Sequence, residues 1–202
     1  MDGEKIILAS ASPRRKDLLE TIGVEFEVCP SDVAEDTWYG EAPHTFVMSL
    51  AKVKAENVAQ RNCGKWILAA DTVVVCDNNI LEKPIDYDDA LRMIKMLQGR
   101  VHSVLTGVAV ISPSKQILLD YEQTDVSFCK LSPKEIEAYV SQGESLDKAG
   151  AYAVQGKGSL LVEKIDGCYS NVVGLPINKV AKMFEKLGFS FFDNWRRNLR
   201  NA

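Results

Sequence analysis

Ten residues, Trp66-Ile67-Leu68-Ala69-Ala70-Asp71-Thr72-Val73-Val74-Val75, constrain the fold of this chain more than any others. The run is apolar at both odd and even positions and is interrupted by one acid, Asp71. A strand with no polar face must be covered on both sides, which is the condition of a central strand in an α/β sheet. A carboxylate in such a run is costly to desolvate unless it meets a metal, a cation or good hydrogen-bond donors. Two readings of Asp71 stand. It is an acid at a strand end that accepts backbone hydrogen bonds, or it is a metal ligand or general base at the mouth of a sheet, where α/β proteins bind their ligands.

Elsewhere the hydrophobic period switches repeatedly between two and 3.6, which again reads as α/β. Ile6-Ile7-Leu8 predicts a strand, Pro13 to Ile22 a helix closed by Gly23, and Val24, Phe26 and Val28 a second strand. A helix follows from about His44 to Ala59, then the central strand, then a tight turn at Asp77-Asn78-Asn79 that folds Ile80-Leu81 back as a hairpin. Tyr87 to Gln98 reads as a helix, Val101 to Ile111 and Ile117 to Tyr121 as paired strands continued by Thr124 to Lys130. Ser132-Pro133-Lys134-Glu135 opens another helix as a capping box. Gly150 to Gly158 leads into a strand from Ser159 to Lys164, and Pro176 starts a final helix to Leu187. Repeats and long linkers are absent, so two lobes around one sheet are expected.

The stretch ILASASPRRKDLL, Ile7 to Leu19, joins the first strand to the first helix. Ser12 is placed to cap that helix and Pro13 suits its first turn. Free N–H groups of the turn beside Arg14 and Arg15 make an anion site. Lys54 shares a helical face with Val47, Ala51 and Val58, so it either snorkels to water or serves as a cation for phosphate. Lys83 precedes Pro84 and so lies on extended backbone. With Glu35 and Asp71, these cations are the inventory for a polyphosphate and a divalent metal.

The formal net charge of −4 argues against broad attraction to nucleic acid or anionic membrane. No apolar stretch approaches the roughly 20 residues that span a bilayer. Met1-Asp2-Gly3-Glu4-Lys5 is too charged to open a secretory signal, so a cytoplasmic location is expected. The five cysteines are scattered without CxxC spacing and read as free thiols. Two histidines give a zinc site or a Ser-His-Asp triad little material. Trp66, Tyr152 and Cys76 read as core, and Arg196, Arg197 and Arg200 as a solvated basic tail over about 190–202.

Several ordered motifs resemble the Maf family, nucleoside triphosphate pyrophosphatases once described as septum-formation inhibitors. They are Leu8-Ala9-Ser10-Ala11-Ser12-Pro13-Arg14-Arg15, the loop acid Glu35, Ala51-Lys52-Val53-Lys54-Ala55, Ala70-Asp71-Thr72-Val73 and Leu81-Glu82-Lys83-Pro84. Leu97-Gln98-Gly99-Arg100-Val101-His102-Ser103-Val104, Asp147-Lys148-Ala149-Gly150-Ala151-Tyr152, Val154-Gln155-Gly156 and Asn171-Val172-Val173-Gly174-Leu175-Pro176 complete the series. The resemblance covers roughly Ile6 to Leu187. It implies an elongated mixed β-sheet flanked by helices, similar to inosine triphosphatase, as a single domain of two lobes with the active site in a cleft between them. It also implies a homodimer and hydrolysis between the α- and β-phosphates, assisted by Mg²⁺ or Mn²⁺. Asp71 matches the proton acceptor, Ser10, Arg14, Arg15, Lys54 and Lys83 the phosphate-handling positions, and Glu35 the metal-side acid.

Arg14, Thr72 and Gln155 match the residues of the dTTP/UTP branch of the family rather than those of the methylated-GTP branch. The Gln155 amide offers a donor and an acceptor, which suits the O4/N3–H edge of uracil or thymine. Many members carry two consecutive acids where this chain has Ala34-Glu35, and Asp32 is the acid nearest to standing in for the first. The expected reaction is attack of a metal-activated water on the α-phosphorus, with Asp71 taking the proton and the basic residues absorbing charge on the departing pyrophosphate. Two rivals remain at this level: a nucleotide-responsive binding protein acting in cell-division arrest, and a methylated-GTP pyrophosphatase.

Overall fold

The computed structural model describes residues 5–33, 38 and 40–201, with side chains as far as residue 196. In chain order the elements are β1 (Ile6–Leu8), α1 (Pro13–Thr21), β2 (Phe26–Val28), α2 (Pro43–Arg61), β3 (Trp66–Cys76), β4 (Asn79–Leu81), α3 (Tyr87–Leu97) and β5 (Val101–Ile111). Then come β6 (Ile117–Phe128), α4 (Pro133–Val140), β7 (Val162–Asp166), α5 (Tyr169–Val173), α6 (Ile177–Lys186) and α7 (Phe191–Asn201). The strands form one mixed sheet in the order β2-β1-β3-β5-β6-β7, with β4 pairing on β3. β1 runs parallel to β2 and β3, whereas β3–β4 and β6–β7 are antiparallel. The expected mixed sheet flanked by helices is what the chain forms.

The chain divides into two compact units, one of Met1–Asp71, Thr106–Glu122 and Gly174–Ala202, the other of Thr72–Leu105 and Gln123–Val173. In the first unit, strand alternation sends odd and even side chains into separate cores. Ile7, Ala9, Ile67, Ala69, Ala109 and Ile111 pack with Ala51, Ala55 and Val58 of α2. Ile6, Leu8, Leu68, Ala70, Val108 and Val110 pack instead with Leu19 of α1, Phe184 of α6 and Phe191 of α7. Both faces of this part of β3 are therefore covered, as its composition requires. The second unit has its own core, in which Val74, Leu81, Val104 and Phe128 meet Met93 and Ile94 of α3 and Ile136 and Tyr139 of α4.

Local chemistry accounts for several boundaries. Asp77 and Asn78 both take positive φ, at 49° and 62°, which is the turn a two-residue hairpin needs. The Ser132 side chain accepts from the Glu135 amide while Glu135 reaches back to the Ser132 amide, completing the capping box. All five cysteines are free thiols, and Cys76 is core. Among the described residues no helix is long and apolar enough to cross a membrane.

Four expectations are corrected. The strand expected from Ser159 is a 3-10 turn over Gly156–Leu161, and β7 begins only at Val162. A Cβ on Gly158 would fall 2.0 Å from the Ala153 carbonyl oxygen, so this segment coils tightly where extended chain was expected. Val24 lies outside β2, in the core beneath α1, and Val28 is exposed, so β2 is shorter than the alternation implied. The helix α5 was not anticipated. The helix ending at Lys186 is not the last, because Phe191, only 4% exposed, anchors α7 where a solvated tail was expected.

Candidate active site

The β1–α1 turn is built on small residues so that the chain can stay against β3 as it leaves β1. The Ala9 amide donates to the Leu68 carbonyl at 2.8 Å, and Ser10 is 9% exposed. Ser12 occupies the N-cap position of α1, yet its side chain makes no capping bond. Its amide donates instead to Ser10 Oγ at 3.2 Å. Arg15 Nη1 donates to the same oxygen at 3.0 Å, and Arg15 Nε to the Gly174 carbonyl at 2.8 Å. Both acceptor sites of Ser10 Oγ are thus engaged, which leaves its O–H as a donor to an anion. Arg14, also in the first turn of α1, is half-buried.

Asp71 shares the odd-numbered face of β3 with Ile67 and Ala69, the face that α2 covers. Lys54 stands two helical turns beyond Val47 on α2, and its Nζ lies 2.5 Å from Asp71 Oδ1. The two side chains are 13% and 12% exposed, so the strand-end and snorkelling readings both yield to a buried ion pair. Parallel register pairs Leu8 with Leu68, which sets Asp71 beyond the carboxyl end of β1, on the strand beside the Ser10 turn. Carboxyl ends of parallel strands are where α/β sheets hold ligands.

Within the first unit, then, the fold pairs Ser10, just past β1, with Arg15 of α1, and Asp71, on the neighbouring β3, with Lys54 of α2. Thr72, Lys83 and Gln155 belong to the second unit. Thr72 is half-buried in β3, Lys83 is exposed between β4 and α3, and Gln155 is exposed at the start of the 3-10 turn. Glu35 lies outside the described residues, as does Ala34. Asp32, the acid considered as a stand-in, is 73% exposed and paired with Arg61 at 2.6 Å.

The donor chemistry of Asp71 fits a hard divalent cation, since an ion such as Mg²⁺ needs only one or two carboxylates and completes its shell with phosphate oxygens and water. Among the described residues no three His, Cys, Asp or Glu side chains cluster as a closed protein cage would require. Two relationships escaped the reading from sequence. The Gly174 carbonyl is invisible as chemistry, although it lies in one of the motifs quoted above. His102 is 2% exposed, its Nε2 lies 2.8 Å from the Tyr152 hydroxyl, and a partner fifty positions away leaves no trace in local pattern.

A family model described as Maf-like protein matches residues 5–187. The chain is 48% identical over 189 residues to a dTTP/UTP pyrophosphatase of Geobacter sulfurreducens, covering 93% of this chain and 99% of that protein. It is 46% identical over 188 residues to a dTTP/UTP pyrophosphatase of Syntrophomonas wolfei, covering 93% and 100%. Among solved structures, the Staphylococcus aureus Ham1 protein aligns at a TM-score of 0.45 and 14% identity, over 61% of this chain and 71% of that one.

Proposed function

The chain belongs to the Maf-like protein family, and from that membership we propose that it is a nucleoside triphosphate pyrophosphatase that hydrolyses dTTP and UTP. The products are the nucleoside monophosphate and pyrophosphate. The observation that carries the reading is the buried Lys54–Asp71 pair, set on the strand beside the Ser10–Arg15 turn at the carboxyl end of β1.

In this reading the Ser10 hydroxyl, Arg14 and Arg15 hold the triphosphate. Asp71 accepts the proton of the water that attacks the α-phosphorus, while the bond to the bridging oxygen breaks and pyrophosphate departs with its electron pair. Lys54 orients the Asp71 carboxylate and balances its charge where both side chains are largely buried. Family members are generally dependent on a divalent metal; Mg²⁺ or Mn²⁺, when bound, neutralises phosphate charge and makes a water more acidic. Asp71 would hold it, with Glu35 the second carboxylate that the resemblance assigns. Lys83 keeps its proposed role toward phosphate, and Thr72 and Gln155 theirs in base choice, each tested by its own substitution. A homodimer and a cytoplasmic location stand as proposals for sedimentation and fractionation to check.

The direct test is pyrophosphate release with Mg²⁺ from dTTP, UTP, CTP and methylated GTP. Turnover of dTTP and UTP well above the other two is expected. Preference for methylated GTP, or release from none of them, would overturn the proposal.

A further inference from the structure

We propose that Gly107, in the middle of β5, is a positioning residue that sets the height of α2 over the sheet and thereby holds Lys54 against Asp71. A Cβ built on Gly107 would lie 2.3 Å from the carbonyl carbon and oxygen of Val47 and 2.6 Å from the Met48 amide nitrogen. These are backbone atoms, so no rotamer change can make room. A glycine inside a strand is the mark of such close approach. Along the same seam the contacts are again small: Ala51 and Ala55 of α2 lie in one core with Ala69 and Ala109. Lys54 follows Val47 by two turns on the same helical face.

Restoring ordinary carbon–carbon contact of about 3.5–4.0 Å at a methylated position 107 requires α2 to retreat by roughly 1.2–1.7 Å. The 2.5 Å approach of Lys54 to Asp71 spans that same gap. A retreat of that size carries it past the roughly 3.2 Å limit of a hydrogen bond. The sheet could tolerate an alanine here by simple separation of the layers; what it would lose is the register of one charged pair.

The inference rests on the catalytic reading of Lys54 and Asp71, and the test separates the two. Gly107→Ala is compared with Ala109→Val, which lifts α2 from a second point, and with Val180→Ala, which opens a cavity on the opposite face. With folding checked by circular dichroism, both seam variants are expected to lose roughly 100-fold in kcat for dTTP at little changed KM, the loss that a misplacement of about 1 Å can cause. Val180→Ala should keep kcat within about threefold while losing stability. In a Lys54→Ala background Gly107→Ala should cost no more than about threefold further, because the contact it acts through is gone. A full 100-fold loss in that background, wild-type kcat in folded Gly107→Ala, or failure of both seam variants to fold would overturn the positioning role. If Asp71→Asn turns over normally, it is the catalytic reading that fails.

Discussion

Arg15 donates from Nε to the carbonyl of Gly174 at 2.8 Å and from Nη1 to Ser10 Oγ at 3.0 Å, tying the first helix to a segment 159 residues later in the chain. The adjacent arginines are therefore unequal. Arg15 is fixed in orientation by the fold before any anion arrives, and a pre-oriented guanidinium loses less entropy on binding phosphate.

Arg15→Ala should accordingly destabilise the protein, by about 1–3 kcal/mol for the loss of charged hydrogen bonds at a half-buried site. It should also raise KM for dTTP and UTP alike. Arg14→Ala should instead change the ranking of nucleotides. Chemical denaturation with a four-nucleotide kinetic panel checks both; matching profiles for the two variants would return them to plain phosphate binding.

Lys54→Ala leaves the Asp71 carboxylate buried without its cation, which should cost about 3–5 kcal/mol of stability. Replacing both partners by apolar residues of similar volume, as in Lys54→Met with Asp71→Leu, should recover most of that loss while activity stays absent. Urea midpoints of the single and double variants decide it. A double variant as unstable as Lys54→Ala would show that the pair is not the source of the cost.

Burial holds the His102 imidazole down to about 4, with the Asp125 carboxylate opposing only in part. The folded pKa lies below the ordinary 6.5, so between those values the unfolded chain takes up a proton that the folded one excludes. Stability should fall as pH drops from 6.5 toward 4, by about 2 kcal/mol from this group at pH 4.5, and be insensitive to it above 6.5. Denaturation of the wild type and of His102→Gln at pH 7 and pH 4.5 tests this. A drop of equal size in both proteins would assign the acid sensitivity elsewhere.

Phe191 sits within 5.2 Å of Phe184 and 5.3 Å of Phe189, ring centroid to centroid. Trp195 Nε1 donates to the Ile22 carbonyl at 2.8 Å. Phe191→Ala should cost about 3 kcal/mol or more, and truncation after Gly188 should lower the melting temperature further. A truncated chain as stable as the full one would restore the solvated-tail reading.

Much of the fold was legible because it is written in local pattern. The doubly apolar run at Trp66–Val75 demanded two covering layers, and Asp77-Asn78 and Ser132–Glu135 mark a turn and a cap by chemistry that acts within a few residues. The departures lie where distant contacts decide. Ser159 to Leu161 resembles strand sequence, but the close approach of Gly158 to Ala153 coils it. The end of the chain looked like a basic tail because its arginines outweighed Phe191, whose partners Phe184 and Phe189 lie on α6 and just after it. For the site, Asp71 and Lys54 were each conspicuous as charges among apolar neighbours, yet only the packing of α2 on β3 makes them a pair. Gly107 drew no attention because its role is to be absent as a side chain.

The central claim is that Asp71 takes the proton of the attacking water, and Asp71→Asn tests it most directly. The amide keeps size and hydrogen-bonding capacity but cannot accept that proton at catalytic rates. Pyrophosphate release from dTTP by this variant should fall by at least about 100-fold, in the range general base catalysis supplies, while dTTP binding measured by calorimetry persists. Near-normal release by a folded Asp71→Asn protein would contradict the account.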